Sequence, residues 1–205
     1  MTLAGNIYGV VLNDTPERER LAPQFGEKPY AAPPRAPVVY MKPLASVVTG
    51  PIAVPPGGLV AAATLALLVA RDTGSVAEAD VFSHLGGAAL VLDLSRPASS
   101  YYRPAVAQKN ADDRIALGAF VAPSLPKTIR LLADDMVIHE WSLDRLHRQP
   151  GALVAELGAF LTLKAGDVLL IGLPGDAPLV HAGQTLRVEA GGLPPLNVTT
   201  TGERP

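Results

Sequence analysis

Leu59-Val60-Ala61-Ala62-Ala63-Thr64-Leu65-Ala66-Leu67-Leu68-Val69-Ala70 is the longest apolar run of the chain, bounded by Gly57-Gly58 before it and Arg71-Asp72 after it. A bilayer span needs roughly 20 apolar residues, so this run is too short to cross one and reads as a buried strand or a short core helix. Within it, Thr64 to Val69 is expected to form a strand. The unbroken apolar character implies that both faces of that strand are covered.

Composition agrees with a core built around such a strand. The chain has 205 residues, of which 48% are apolar and 18% charged, too hydrophobic for a disordered segment. Its 20 prolines and 19 glycines therefore act as punctuation between short ordered elements. A chain of this length buries about 70% of its unfolded surface without cross-links. The absence of cysteine excludes zinc fingers, thiolate catalysis and disulfide scaffolds. The formal charge of 17 − 19 = −2 and a pI near 6.1 speak against nucleic acid as a partner. Met1-Thr2-Leu3-Ala4-Gly5-Asn6 lacks a basic stretch of the kind that opens a signal peptide, so a soluble cytoplasmic protein is expected, with no membrane partner.

Outward from the run, Ile7 to Leu12 reads as a first strand ended by Asn13-Asp14-Thr15-Pro16, followed by the charged segment Glu17-Arg18-Glu19-Arg20. A proline-rich arm from Pro29 to Pro37 favours extended backbone and is expected to cross a surface or the mouth of a site. It leads into a short strand, Val38 to Lys42, before Pro43. Val47 to Leu59 is turn-rich. Ser75-Val76-Ala77-Glu78 has the capping-box pattern, predicting a helix to His84 or Leu85 that stops at Gly86-Gly87. Ala88 to Leu94 resumes as a strand, and Ala133-Asp134-Asp135 reads as the turn of a hairpin. Leu153, Val154, Leu157, Phe160 and Leu161 predict an amphipathic helix from Gly151. Lys164-Ala165-Gly166-Asp167 then turns into a strand from Val168 to Gly172. Leu186, Val188 and Ala190 alternate with polar residues in a final strand, and the tail after Thr199 is expected to be loose. About eight or nine strands and two helices, without regular βαβ alternation, give an α+β, sheet-dominated class. One domain over 1–205 is expected, with the first strand and arm in 1–50, the core in 51–198 and a loose tail in 199–205.

No Gly-x-Ser-x-Gly, phosphate loop or His-Glu-x-x-His motif is present. His84, His139, His147 and His181 are scattered and read as solvated or structurally bonded. Polar residues at the ends of apolar strands say more. Asp93, after Ala89-Leu90-Val91-Leu92, needs a partner, a cation or water to offset desolvation; it is either a structural strand-end carboxylate, with Arg96 as one partner, or a site group. Lys42 either meets an anionic ligand or reaches out to water. Tyr101-Tyr102-Arg103-Pro104 with Lys109 gathers cations and phenols suited to carboxylates, although an ordinary surface loop can contain the same set.

These residues carry a resemblance. Ile7-Tyr8-Gly9-Val10-Val11-Leu12-Asn13, Pro29-Tyr30-Ala31-Ala32-Pro33-Pro34, Met41-Lys42-Pro43 and Ala63 to Val69 are similar, in order, to the fumarylacetoacetate hydrolase family. So are Tyr102-Arg103-Pro104-Ala105 with Lys109, Phe160 to Gly172, Ala182 to Val188 and Gly192-Leu193-Pro194-Pro195-Leu196. Within the family the chain most resembles the amino-terminal half of the bifunctional decarboxylase/isomerase branch of 4-hydroxyphenylacetate (homoprotocatechuate) catabolism. The resemblance implies a mixed β-sandwich or roll with flanking helices. It also implies a magnesium-type centre, made by a Glu-x-Glu pair and an Asp, that stabilises an enolate formed from an unsaturated oxo-acid. The implied ligand is a small dicarboxylate or tricarboxylate oxo-acid. The implied assembly is a homodimer, a heteromer with a metal-binding paralogous subunit, or both.

Here the Glu-x-Glu pair falls at Ala62 and Thr64, leaving Asp93 as a residual metal position. Leu173 replaces the threonine of the family's Gly-Thr-Pro turn, and the family's His and Glu acid/base pair falls at Glu17 and Arg20. Magnesium binding by this chain alone is therefore expected to be weak or absent. By resemblance, Lys109 and Glu17 are the catalytic candidates, and Lys42, Tyr102 and Arg103 the substrate-binding ones.

Overall fold

The structure is a computed structural model and describes residues 5–28, 31–98 and 106–202. Its strands are β1 (Ile7–Val11), β2 (Val38–Lys42), β3 (Ile52–Val54), β4 (Leu59–Val69), β5 (Leu85–Ser95) and β6 (Ile115–Leu117). They continue as β7 (Thr128–Ala133), β8 (Met136–Ser142), β9 (Val168–Leu170), β10 (Leu179–Val180), β11 (Thr185–Ala190) and β12 (Leu196–Gly202). Three α-helices are described, α1 (Thr15–Phe25), α2 (Val106–Lys109) and α3 (Pro150–Gly158), with 3₁₀ turns at Leu44–Ser46, Glu78–His84 and Leu143–Arg145.

The apolar run is one long strand, β4, at the heart of a sheet ordered β2-β1-β9-β4-β5-β6, with β10 also pairing β4; a second sheet runs β3-β12-β11-β7-β8. Pairing is mixed, with β1–β9 and β3–β12 parallel. Period-two alternation divides β4 between two environments. Leu59, Ala61, Ala63, Leu65, Leu67 and Val69 enter the main core between the sheets, with Ile129, Leu131, Trp141, Leu186 and Val188 opposite. On the other face Ala66 packs with Ile7, Val91, Ile115, Val168 and Leu170. Both faces are covered, as the run predicts.

The hairpin forms as expected. Asp134 and Asp135 both have positive φ, 50° and 64°, as a two-residue primed turn requires. Other expectations change. The charged segment after Asp14 is helix α1, whose buried contacts are only Leu21 and Phe25. The turn-rich stretch before Leu59 contains β3. Ser75 to Glu78 forms no capping box: Ala77 caps a 3₁₀ turn without a side-chain bond. The Glu78 stem instead lies beneath Gly151, where an added Cβ would sit 3.0 Å from Glu78 Cγ. Gly86 and Gly87 lie inside β5 rather than ending a helix; Gly87 is bare because the Val121 carbonyl would sit 2.9 Å from a Cβ there. α3 ends at Gly158, so Phe160 is exposed. The expected loose tail is corrected over Thr199 to Gly202, which belongs to β12, with Thr200 to Gly202 paired to β3. The boundary at residue 50 also dissolves, because β1 sits between β2 and β9 inside the first sheet.

One close approach fixes the sheet edge beside the site. Gly9 pairs with Tyr40 across β1 and β2, and a Cβ at Gly9 would overlap the Tyr40 ring. Gly9→Ala must therefore push the ring aside. It is expected to lower stability by about 1–3 kcal/mol, as overpacking does, read from the midpoint of urea unfolding.

Candidate functional site

The outer face of β4 carries Val60, Ala62 and Thr64, a valine and two smaller side chains, and the matching face of β5 carries Asp93 and Ser95, with Ala62 directly opposite Asp93. Little fills the space above Ala62, and a cavity of about 590 Å³ opens there. Helix α1 supplies Glu17, Arg20 and Leu21, α2 supplies Lys109, and the segment after β9 supplies Leu173 to Gly175. Ala32 and Pro34 of the proline-rich arm close one side, which matches the expectation that the arm crosses the mouth of a site.

Asp93 is 1% exposed, a carboxylate that must be compensated. The Tyr40 hydroxyl donates to its Oδ2 at 2.6 Å. Lys42 Nζ lies 3.3 Å from Oδ1, and Lys109 Nζ lies 4.0 Å from Oδ1 and 5.0 Å above the Tyr40 ring. The three ammonium hydrogens of Lys42 have other acceptors: the carbonyls of Leu94 at 3.0 Å, Lys109 at 2.5 Å and Arg114 at 3.0 Å. Its attraction to Asp93 is therefore one of charge. Burial pulls the Lys42 ammonium down to about 8, with Asp93 working the other way and Lys109 and Arg114 adding to the fall. Burial and the adjacent Asp93 push the Tyr40 phenol well above its usual 10.

Across the cavity, Glu17 lies against Gly175, where a Cβ would collide with the Glu17 stem. Burial, then the neighbouring Asp14, raise the Glu17 carboxyl above the usual glutamate value; Arg20, a backbone bond from Leu12 and Lys109 oppose the rise. Asp93 thus stands as an internally paired carboxylate, Glu17 as a carboxyl whose hold on its proton is strengthened, and Lys109 and Arg20 as cations lining the open space.

The family's divalent centre does not fit this donor set. Ala62 has no ligand atom, and the Thr64 hydroxyl is committed to the Gly172 carbonyl at 2.6 Å. Asp93 is already paired with a phenol and an ammonium. Among the described residues no three His, Asp or Glu side chains gather where a metal could sit.

Of the residues singled out from sequence, the cavity gathers Glu17, Lys109, Asp93 and Ala62. Lys42 is corrected in place: its side chain is fully buried behind Asp93, so it meets the cavity only through that carboxylate. Tyr102 and Arg103 lie outside the described residues. Sequence reasoning missed Tyr40, whose hydroxyl reaches Asp93 across the sheet, and Asp14, which accepts from Trp141 and Arg145. For Asp14 a signal existed: Asp-Thr-Pro-Glu is a helix-start pattern as well as a strand stop.

The family model described as "Fumarylacetoacetate (FAA) hydrolase C-terminal" matches residues 6–201. The chain is 33% identical over 207 residues to a 4-hydroxyphenylacetate degradation bifunctional isomerase/decarboxylase of Escherichia coli, covering 98% of this chain and 48% of that protein. It thus spans about half the length of the curated relatives it matches. Among solved structures, 2-hydroxyhepta-2,4-diene-1,7-dioate isomerase from Mycobacterium marinum shares the fold with a TM-score of 0.81 and 21% identity, over 99% of this chain and 77% of that one. Fumarylpyruvate hydrolase from Pseudomonas aeruginosa, solved with Mn2+ and pyruvate, shares it with a TM-score of 0.79 and 20% identity, over 97% and 90%. Among the described residues no helix is long and apolar enough to cross a membrane. With a family match spanning nearly every residue and a fold shared with these enzymes, the chain belongs to the fumarylacetoacetate hydrolase family.

Proposed function

We propose that this chain binds a small unsaturated oxo- or hydroxy-acid with two or three carboxylates and takes part, as a subunit, in the decarboxylase/isomerase chemistry of 4-hydroxyphenylacetate catabolism. The substrates in view are 5-oxopent-3-ene-1,2,5-tricarboxylate for decarboxylation and 2-hydroxyhepta-2,4-diene-1,7-dioate for isomerisation. The observation that carries this reading is the convergence of Glu17, Arg20 and Lys109 on one cavity beside an Asp93 that is neutralised from within. The Lys42–Asp93 charges cancel and burial shifts Glu17 toward its neutral form, so Arg20 and Lys109 are the positive charges lining the space, a match for two carboxylates.

Decarboxylation breaks the bond from carbon to a carboxylate. CO2 leaves, and the electron pair moves through the conjugated system to an enolate oxygen. The Lys109 ammonium stabilises that oxygen, Glu17 delivers a proton to carbon, and water reprotonates Glu17. In isomerisation Glu17 delivers a proton to carbon at the far end of the diene while the enol O–H bond breaks, and the proton released from oxygen returns through water to the Glu17 carboxylate, so no net proton is gained or lost. Neither route uses a divalent cation in this chain. One observation favours a second reading, a non-catalytic subunit that stabilises a metal-binding paralogue: the positions of the paired glutamates hold Ala62 and Thr64.

Both substrates are followed by ultraviolet absorbance, with the chain alone in EDTA and mixed with a metal-binding paralogous chain. Glu17→Gln is expected to lower turnover by about 10²–10⁴-fold and Lys109→Ala by about 10²–10³-fold, while calorimetry in EDTA still detects dicarboxylate binding by Glu17→Gln and weaker binding by Lys109→Ala. Turnover unchanged in both variants sinks the catalytic reading and leaves the supporting one.

Lys42 gives a stability prediction. Its folded value of about 8 lies below its ordinary 10.5, so between those limits the unfolded chain holds a proton that the folded chain lacks. Unfolding free energy therefore rises with pH across that window. Lys42→Met is expected to abolish this rise and, by leaving Asp93 buried without its cation, to cost about 3–5 kcal/mol near neutral pH. Asp93→Asn, which removes the charge that holds the proton on Lys42, should extend the rise to lower pH. Urea unfolding from pH 7 to 10.5 reads all three proteins.

A further inference from the structure

A second buried carboxylate lies beyond the cavity wall. Asp14 is 0% exposed and accepts four hydrogen bonds. Its Oδ1 takes Trp141 Nε1 at 3.1 Å and Arg145 Nε at 2.9 Å. Its Oδ2 takes Arg145 Nη2 at 2.7 Å and the Gly175 amide at 3.1 Å. These donors come from three places: Trp141 on β8, Arg145 in the following 3₁₀ turn, and Gly175 in the segment after β9. Arg145 also grips Asp176, with Nη1 to Oδ2 at 3.1 Å and Nη2 to Oδ1 at 3.0 Å, and His139 Nε2 meets Asp176 Oδ1 at 3.1 Å. Burial opposes it, but Arg145 and His139 hold the Asp176 carboxyl at about 2, so the grip persists across the neutral range.

Asp14 immediately precedes α1, and its carbonyl accepts the Arg18 amide, a first helical bond, at 3.1 Å. Its side chain spends nothing on capping the helix. Leu12, two residues earlier, is held at a φ of 58°, a conformation costly for leucine, and supplies the backbone bond to Glu17. The grip on Asp14 therefore fixes both sides of Glu17: the helix start that carries it and the Gly175 wall on which it packs.

We infer that Asp14, held by Arg145, is the positioning residue for Glu17, fixing the wall behind it and placing a fixed negative charge beside its carboxyl. Asp14 touches no cavity space and acts only through Glu17. The charged groups around Glu17 are Asp14 before α1, Arg20 on α1 and Lys109 on α2; of these only Asp14 favours the protonated carboxyl. This inference rests on the proposed role of Glu17 as the proton donor, and its test needs neither ligand nor turnover.

The test is a pH titration of the ¹³C-labelled glutamate carboxyl resonances of the full chain, with Glu17 assigned by the signal lost in Glu17→Gln. Wild-type Glu17 is expected to titrate above 4.5. In Asp14→Asn, which keeps the side-chain shape, the midpoint falls because the adjacent charge is gone. Gly175→Ala leaves the charges intact and collides with the Glu17 stem, so its midpoint also falls as the side chain is driven into water; this variant carries the test if Asp14→Asn does not fold. A wild-type midpoint at the ordinary glutamate value, or a Glu17 midpoint the same as wild type in a folded variant, overturns the inference. If Glu17 behaves as described and no dicarboxylate binds in calorimetry, the functional proposal falls alone.

Discussion

Lys42 and Asp93 are an ion pair 3.3 Å apart with side chains 0% and 1% exposed, and most of what is particular about this molecule follows from the cost of putting them there. Two desolvated charges rarely offset their own hydration loss through mutual attraction alone. The pair persists because three carbonyls surround the ammonium and a phenol donates to Oδ2 of the carboxylate, while Oδ1 is left to the charges of Lys42 and Lys109. Those carbonyls belong to β5, α2 and the segment before β6, so one amine ties together three parts of the chain that build the cavity floor. Tyr40 reaches Asp93 only because Gly9 has no side chain beneath the ring.

The cavity is the complement of that floor. β4 must be covered on both faces, and over most of its length it is, by the second sheet on one side and by β1, β9 and β6 residues on the other. Where it carries Ala62 opposite Asp93, neighbouring side chains do not reach across, and α1 and the proline-rich arm roof the gap without filling it. A central strand with small residues on one face supplies a rigid base for a site whose walls come from a helix and loops.

The central strand was legible because an unbroken apolar run of strand length has few other solutions, and the Asp134-Asp135 hairpin because two consecutive residues tolerant of positive φ announce a primed turn. α1 was not, because it buries only Leu21 and Phe25 and carries Pro23, leaving almost no apolar stripe to detect. The Ser75–Glu78 pattern misled because Glu78 is used for packing beneath α3, a tertiary demand that outranks local capping. For the site, Asp93 and Lys109 stood out as residues before the family resemblance added Glu17, and all three line one cavity. The role of Lys42 stayed hidden, since its acceptors lie 52, 67 and 72 residues away and no local pattern encodes them.

The replacements at the metal positions are coupled to this arrangement rather than independent losses. Ala62 faces Asp93 directly across β4 and β5. A glutamate there, without a divalent cation, would set two carboxylates opposite each other in a buried sheet, where like charges repel. Lys42 is a single ammonium and its hydrogens are already committed, so it cannot neutralise a second and third carboxylate. Without a divalent cation, small or hydrogen-bonded neutral residues at Ala62 and Thr64 are the stable solution, because they leave Asp93 as the one carboxylate that Lys42 has to offset. What the cavity offers a ligand is two separate cations, Lys109 from α2 and Arg20 from α1, an arrangement suited to an acid whose carboxylates are themselves apart.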